Sequence, residues 1–296
     1  MADFLSQYSI QRWLEACPQG YLDGTVYGHD PDETEAEEVL TIDSLREASI
    51  AVTVQLIAGE RCALAASSGL INCAPDDASK MFLATQTLDE ARHVEIFTQR
   101  LMDLGIKKED VNSTVADLAN PNLVKFAEVL LEKVANKDFV AGVVGQNIVL
   151  EGMAFSVFEL LQASSAGNPK FAKTLAGTIA DERRHVGFGE NRIGSLIQEH
   201  PEKRPEVEKM QAEMSYYMLA TFTDMFSDAG QRMEEAKAIA AQRDENPLDG
   251  VSWHGADLMT ATPDVMEAVL ADTVLGEFKT RLGRIGIEYQ SPKVPA

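Results

Sequence analysis

Apolar side chains recur every three or four positions over long stretches of this chain, whereas the alternation typical of a half-buried strand is hard to find. A period of three to four residues is that of an amphipathic α-helix with one side against a core. The pattern therefore predicts an almost entirely helical protein. The predicted helices cover 42–73, 76–104, 122–136, 138–166, 169–199, 204–243 and 263–284.

Turn and capping residues stand at most of these boundaries. Thr41 or Asp43 can cap the first helix, and the segment 72–77 (NCAPDD) ends it and caps the second. Gly105 is expected to end the second helix, because glycine accepts the left-handed conformation common after a helix. Proline and glycine residues between 247 and 255 predict an irregular segment before the last helix.

The chain divides into three predicted parts. Residues 1–40, rich in Gly, Asp and Glu, are expected to form an arm that wraps the body. Residues 41–287 form the helical domain, and residues 288–296 are expected to be a flexible tail.

An internal repeat organises the central helices. The segment 55–60 (QLIAGE) matches 146–151 (QNIVLE) at an offset of 91, and 89–94 (DEARHV) matches 181–186 (DERRHV) at an offset of 92. Each glutamate of the repeat lies about 14 or 15 residues from its hairpin turn, which is about 21 Å along a helix. We therefore expect two helical hairpins that bring these glutamates to one height.

The repeated positions have the chemistry of a metal centre. Glu and His spaced i, i+3 point from the same face of a helix. Four buried carboxylates at one level are very costly without compensating charge, and two divalent metal ions would supply it. The predicted ligands are Glu60, Glu90, His93, Glu151, Glu182 and His185.

Two aspartates and two arginines of the repeat have a predicted supporting role. Metal-bound histidines usually donate their second ring N–H to a carboxylate. We expect Asp181 to lie near His93 and Asp89 near His185. Arg92 and Arg184 are expected to balance these aspartates, the alternative being ordinary surface arginines.

The DExRH pairs resemble those of ferritin-like non-haem dimetal carboxylate proteins, and the ribonucleotide-reductase-small-subunit-like (ligand-binding) oxidases are the nearest match. The resemblance covers residues 55–104 and 144–194. It implies that the same six residues are ligands, and that the centre activates O2 with two iron ions or with one manganese and one iron.

The chain departs from that family at several positions. In the ligand-binding oxidases a valine and a tyrosine are cross-linked, and Cys62 and Gln146 stand there instead. Phe97 occupies the place of the radical-storing tyrosine of reductase subunits, and all six tyrosines lie outside both hairpins. Thr178 stands where arylamine N-oxygenases have an additional histidine.

Several side chains close to the ligands along their helices are candidates to line an apolar substrate pocket, the alternative being simple core packing. Cys62 in particular is expected to be a small buried hydrophobe rather than a ligand or an oxidation-prone neighbour. The candidates are Cys62, Phe97, Gln146, Phe155 and Phe188, with Met153 and Phe158 nearby.

Composition narrows the cellular setting. The 296 residues include 26 Lys+Arg and 47 Asp+Glu, a formal net charge of −21, which disfavours nucleic acid and anionic membranes as partners. Cys17, Cys62 and Cys73 form no CxxC pair and suit a reducing compartment. With no signal-peptide pattern at the N-terminus and no run of 18 apolar residues, we expect a cytoplasmic protein.

The sequence thus predicts an all-α, ferritin-like four-helix bundle with additional helices. We expect an O2-dependent oxidase or monooxygenase acting on a small, hydrophobic organic substrate, with an external electron donor or reductase and no organic cofactor. The alternatives are a ferroxidase or iron-storage protein, a radical-generating reductase subunit, and a dimanganese peroxide dismutase. The helix 204–243, with Met210, Met214, Met218 and Met225, either covers the bundle or pairs with a twin in a homodimer.

Overall fold

The computed structural model describes residues 30, 32–227, 229–242 and 246–292. Within these residues the chain is nearly all helical, as the apolar periodicity predicts. The α-helices are α1 Glu37–Thr41, α2 Asp43–Ile71, α3 Asp77–Asp103, α4 Val111–Leu118, α5 Pro121–Ala135, α6 Phe139–Val143, α7 Glu151–Ser164, α8 Pro169–Glu199, α9 Arg204–Ser227, α10 Ala229–Ala240 and α11 Pro263–Arg284. A π-helical segment, Val144–Leu150, joins α6 to α7, and Lys108–Asp110 and Pro201–Lys203 are 3₁₀ turns.

Two helical hairpins form the central bundle. Helix α2 packs along α3, and α7 packs along α8, so each repeat makes one hairpin. Helix α9 covers the π-helical segment and α5, while α11 lies against α7. The buried apolar side chains form two clusters, and all four bundle helices contribute to them.

Local capping explains where the bundle helices begin and end. The Asp76 side chain accepts a hydrogen bond from the Ser79 amide at 2.7 Å and caps α3, as predicted. Gly105, with φ of +98°, follows the end of that helix. The predicted cap of α2 is wrong: Ile42 holds that position, because Thr41 belongs to the short helix α1 and bonds back to the Glu37 carbonyl.

The structure contains elements that the sequence pattern does not predict. Helix α4 lies between the predicted helices 76–104 and 122–136. Residues 204–227 and 229–240 of the predicted helix 204–243 are helical, and residue 228 lies outside the described residues. A small antiparallel hairpin pairs β1 Ser252–Trp253 with β2 Ala256–Asp257.

The methionines of α9 belong largely to the core. Met210, Met214 and Met218 are buried against the bundle. Helix α9 therefore covers the bundle, the first of the two roles expected for it. The homodimer stays a prediction.

Both chain ends are attached where the structure describes them. Glu35 is buried and pairs with Arg100, whose Nε lies 3.0 Å from Glu35 Oε1. The start of the predicted tail is held to α9, since the Glu288 and Gln290 amides donate to Glu208 and Gln211. Most of the predicted arm, residues 1–29 and 31, and the tail end, 293–296, lie outside the described residues.

Two helical runs, Asp43–Ile71 and Phe139–Ser164, are long and apolar enough to cross a membrane by length and composition alone. In the most apolar window of the second run, 89% of the residues are buried inside the protein. Both runs supply carboxylates to the centre of the bundle. Packing explains the apolar surface of the second run, whereas the corresponding window of the first run is 33% buried. The expected absence of a membrane partner stays a prediction.

Candidate metal centre

The six predicted ligands meet inside the bundle. Glu60 comes from α2, Glu90 and His93 from α3, Glu151 begins α7, and Glu182 and His185 come from α8. None of the six is more than 5% exposed. The i, i+3 spacing places each Glu-His pair on one inward face, and the antiparallel hairpins bring the four helices to a common level.

The donor atoms fall into two overlapping groups. One group contains Glu60, Glu90, His93 and Glu182, and the other contains Glu90, Glu151 and His185. Within each group the ligand atoms all lie within 4.8 Å of one another. Oxygen and imidazole donors in this number suit two ions such as iron or manganese. The residues therefore fit a metal pair.

Glu90 and Glu182 each face both histidines. Glu90 Oε2 lies 3.4 Å from His93 Nδ1, and its Oε1 lies 3.3 Å from His185 Nδ1. Glu182 Oε1 lies 3.3 Å from His93 Nδ1, and its Oε2 lies 3.4 Å from His185 Nδ1. These two carboxylates are therefore placed between the two groups, while Glu60 and Glu151 stand at the outer ends.

Several buried donor atoms at this centre have no hydrogen-bond partner among the described residues. They are Glu90 Oε2, Glu182 Oε2 and His185 Nδ1. Leaving such an atom unsatisfied costs about 1–3 kcal/mol, and more for a charged group. A cation between these atoms would remove this cost. The donor set therefore suits metal ions by its charge as well as by its geometry.

The protonation of the six residues follows their crowding. Burial and the neighbouring Glu182 carboxylate raise the pKa of Glu90 to about 7. Burial raises the pKa of Glu151 and Glu60 as well. Burial opposes ionisation of Glu182 too, but His185 and His93 outweigh it and lower its pKa to about 2.

The two histidines of the centre behave in the opposite sense. Burial acts against their charged forms, yet the facing carboxylates raise the pKa of both His93 and His185 well above the ordinary value. In the metal-free centre, protons are therefore bound among the donor atoms, where metal cations could bind instead.

The second ring nitrogen of each histidine meets an aspartate from the opposite hairpin. His93 Nε2 lies 3.2 Å from Asp181 Oδ2, and His185 Nε2 lies 3.2 Å from Asp89 Oδ2. This is the crossed arrangement that the repeat predicts. It directs both Nδ1 atoms toward the carboxylates, since each ring has only two nitrogens.

Two arginines close the aspartates into a buried network. Arg184 donates to Asp89 Oδ2 at 2.8 Å and to Asp181 Oδ1 at 2.6 Å. Arg92 donates to Asp89 Oδ1 at 2.9 Å and also to Asp181. The network lowers the pKa of both aspartates despite their burial, in each case mainly through the paired histidine.

Sequence reasoning missed two buried amides at the centre. Gln86 Nε2 donates to Glu151 Oε1 at 2.7 Å, and Asn147 Nδ2 donates to Glu151 Oε2 at 3.0 Å. Gln146 also reaches Glu151, at 3.3 Å, and therefore supports a predicted ligand. The sequence signal that could have identified these amides is a Gln or Asn about one turn before a candidate ligand in a buried apolar helix.

An apolar cavity of about 70 Å³ opens beside the centre. Its lining includes Glu60, Glu151 and Glu182 at the metal side. The remaining walls come from α2, α5, α7, α9 and the π-helical segment: Gln55, Leu56, Gly59, Ala63, Leu123, Leu150, Ala154, Val157, Phe158, Met218, Thr221, Phe222 and Met225.

The predicted pocket residues lie elsewhere. None of Cys62, Phe97, Gln146, Phe155 and Phe188 belongs to the lining of this cavity, although the neighbouring Phe158 does. These candidates were chosen because they lie close to the ligands along their helices. The cavity instead faces α5 and α9, and the repeat does not specify where those two helices pack.

Each of these five side chains has another environment. Phe188 stacks on Phe82 with ring centroids 4.1 Å apart, and Phe97 is fully buried in the core. Phe155 lies under the guanidinium groups of Arg183 and Arg281. Cys62 is the buried thiol expected, and burial raises its pKa to about 12.

A third group of ligand-type side chains lies away from the centre. Glu159, His254 and Glu277 bring their donor atoms within 4.8 Å of one another, but His254 is exposed and both glutamates are partly exposed. Along the chain, His254 has no partner at ligand spacing. The hairpin brings it to α7 and α11, which local spacing does not show.

The helical hairpins and the buried Glu and His residues have the architecture of a ferritin-like bundle with a dimetal-type donor set. Comparison of the sequence with protein-family models and with curated proteins gives no match. Comparison of the fold with solved structures gives several.

An R2-like ligand-binding oxidase with an aerobically reconstituted Mn/Fe cofactor (long soak) aligns with a TM-score of 0.69 and 16% identity, over 96% of this chain and 97% of that chain. The same kind of oxidase after photoconversion gives 0.70 and 16%, over 98% and 99%. Protein 19 with aldehyde deformylating oxidase activity, from Synechococcus, gives 0.60 and 15%, over 83% and 92%.

At this level of identity the likeness concerns the fold. It confirms the ferritin-like helical bundle that the sequence predicts, over nearly the whole chain. The additional helices outside the two hairpins are part of the matched length. The solved structures that it resembles are oxidases, one of them with a Mn/Fe cofactor and another with a reconstituted metal cofactor.

Proposed function

We propose that this chain is a dimetal oxidoreductase that uses O2 to oxidise a small, apolar organic substrate. In this proposal Glu60, Glu90, His93, Glu151, Glu182 and His185 hold two iron ions, or one manganese and one iron. The observation that carries it is the pair of overlapping donor groups, with buried atoms that no described residue satisfies.

Each ligand has a distinct place in the proposal. Glu90 and Glu182 would contribute to both metal positions, because the two oxygens of each face different histidines. Glu60 and Glu151 complete the outer ends. When bound, the metal pair supplies the electrons that reduce O2. Asp181 and Asp89 fix the histidine rings, so that both Nδ1 atoms stay directed inward.

The cavity supports the choice of substrate. Its walls away from the three glutamates are nearly all apolar, and among the described residues its lining contains no lysine, arginine or histidine. A neutral aliphatic chain would therefore be held there without leaving a charge unpaired. At about 70 Å³ the cavity admits a slim chain more readily than a ring, because an apolar cavity that holds benzene measures about 150 Å³.

The likeness to oxidases adds support for the reaction type. One of the matched structures has aldehyde deformylating oxidase activity, which makes an aliphatic aldehyde a sensible first substrate to test. We propose an external electron donor or reductase as well. Oxidase and monooxygenase outcomes both fit this site.

Iron handling is the principal alternative, because the same donors would serve a ferroxidase. The cavity favours the oxidase: iron ions and water need a polar path, whereas the walls contributed by α9 are Met218, Phe222 and Met225 with Thr221. A storage protein would also take up many iron ions per chain. The proposed oxidase would bind only two metal ions per chain.

O2 consumption tests the proposal. The protein is loaded anaerobically with Fe(II), or with Mn(II) and Fe(II), and mixed with O2, a reductant and a straight-chain alkanal or alkane. We expect metal-dependent O2 uptake and an oxidised product detectable by mass spectrometry, both lost in His185→Ala. Unlimited iron oxidation without product would instead support iron handling.

A further inference from the structure

Three side-chain amides surround Glu151, and no other carboxylate of the centre is surrounded in this way among the described residues. Gln86, Asn147 and Gln146 donate to its two oxygens at 2.7, 3.0 and 3.3 Å. Glu90 receives one amide contact, from Gln86 at 3.2 Å. Glu60 and Glu182 contact the histidines instead.

The π-helical segment explains how neighbouring residues reach the same glutamate. In an α-helix, residues five apart point about 140° away from each other, whereas residues four apart are close to alignment. In the wider π-helix, residues four and five apart both approach alignment. Val144–Leu150 is π-helical, which lets Asn147 and Gln146 face Glu151 together.

A close approach of two helices holds Asn147 in this position. Its Nδ2 donates to the His185 carbonyl at 3.2 Å and to Gln86 Oε1 at 3.1 Å. A Cβ at Gly189 would lie 2.5 Å from Asn147 Cβ, so glycine is required on α8. Asn147 therefore connects the Glu151 carboxylate to the helix that carries His185.

The first repeat lacks this arrangement. Helix α2 is α-helical throughout, and Gln55, the counterpart of Gln146, has its hydrogen bonds outside the centre. It donates to the Leu118 carbonyl at 2.8 Å and accepts from the Asn120 amide at 2.7 Å. The counterparts of Asn147 and Gln86 are Leu56 and Thr178. The two halves of the centre are thus supported differently.

Core packing alone does not account for these amides. Gln146 Oε1 and Asn147 Oδ1 are buried and accept no hydrogen bond from the described residues. Each such atom costs about 1–3 kcal/mol, a cost that leucine or methionine in the same space would avoid. What the amides provide in return is N–H donation to Glu151.

We propose that Gln86, Gln146 and Asn147 are positioning residues that fix the Glu151 carboxylate and so make the Glu151–His185 metal position tighter and more rigid than the Glu60–His93 position. This inference rests on the metal centre of the proposed function. It concerns binding and geometry, and holds whichever substrate is oxidised.

Cobalt(II) titration of the metal-free full chain tests it, because visible absorption reports Co(II) affinity and coordination geometry. The variants are Asn147→Leu and, on a different helix, Gln86→Met, which remains informative if the first does not fold. Gln211→Met is the matched control. Gln211 is a buried glutamine bonded to Ser215 and Gln290, and it lies outside the metal centre.

We expect the parent to bind two Co(II) ions with different affinities and spectra. Each variant should weaken one position by roughly 10- to 100-fold and change its absorption bands, as loss of ligand-orienting partners does. In Asn147→Leu the other position should stay as in the parent, whereas in Gln86→Met it should change less than the first, because Gln86 also donates to Glu90. The Gln211→Met spectrum should stay as in the parent. Glu151→Ala identifies which position is affected.

Two results would overturn the inference. Variants that bind both ions with parental affinity and spectra would show that the amides do not position Glu151. Equal weakening of both positions would indicate general destabilisation. In either case a parent that binds two ions leaves the proposed function standing, whereas a parent that binds none removes both.

Discussion

His93 is tied to Asp181, a residue 88 positions away on the opposite hairpin, by a contact of 3.2 Å between Nε2 and Oδ2. The same aspartate accepts hydrogen bonds from Arg92 and Arg184. One carboxylate therefore connects a candidate ligand, both hairpins and two partly buried guanidinium groups. A variant of Asp181 therefore tests the orientation of the His93 ring while all six candidate ligands stay in place.

Asp181→Asn should weaken metal binding by roughly 10- to 100-fold, because the histidine loses the acceptor that fixes its tautomer. It should also lower the stability of the metal-free protein, since two partly buried guanidinium groups lose a charge partner. Metal competition assays and thermal unfolding measure the two effects. The exposed Asp117→Asn is the control, and equal metal affinity in both variants would contradict the role given to Asp181.

Ala154→Leu tests the cavity. A larger side chain at this wall position should fill part of the roughly 70 Å³ and raise KM or abolish turnover of an aliphatic substrate. Metal content should not change, because Ala154 is not a ligand. Ala91→Leu, at an exposed position of α3, is the matched control. Unaltered KM and kcat in Ala154→Leu would show that substrate binds elsewhere.

The metal-free protein should lose stability as pH rises from about 5 toward 8. Glu90 has a folded pKa of about 7 against an ordinary 4.5, so between these values the folded state holds the extra proton. His93 and His185 act in the same direction at higher pH. Glu182, lowered to about 2, contributes in the opposite sense only in acid.

Metal loading should reverse this dependence, because the ions bind the deprotonated ligands and displace their protons. The stabilisation by metal, measured as the Tm difference between loaded and metal-free protein, should grow from pH 5.5 to 8. A difference that is constant across this range would contradict the protonation assigned to the centre.

The Arg100–Glu35 pair should anchor the segment before α1. Arg100 donates to both Glu35 oxygens, at 3.0 and 3.2 Å, and both residues are buried. Arg100→Met leaves a buried carboxylate without its cation and should cost about 3–5 kcal/mol in urea unfolding. Adding Glu35→Gln should recover part of this loss. No recovery in the double variant would argue against the pair.

The convergence of the six candidate ligands could be predicted because it depends on local geometry. The i, i+3 spacing fixes which face Glu90 and His93 share, and the common repeat offset fixes the height at which the hairpins meet. The contact between His185 and Asp89 follows from the same symmetry. These features need no knowledge of how the other helices pack.

The amides and the cavity could not be predicted in this way. Gln146 and Asn147 both reach Glu151 only because the segment is π-helical. In the α-helix that the sequence pattern predicts, Gln146 would point away from Glu151. Met218 and Phe222 line the cavity because α9 crosses the bundle at one position, which is decided by tertiary packing. His254 likewise meets Glu159 only through the hairpin.

The most direct test of the account is the number of metal ions per chain. After reconstitution with Fe(II), or with Mn(II) and Fe(II), and removal of excess metal, elemental analysis should find two ions in the parent. Glu182→Ala should hold fewer, while Glu199→Ala, at the exposed end of the same helix, should match the parent. A parent without bound metal, or a Glu182→Ala variant with parental metal content, would contradict a dimetal centre at these residues.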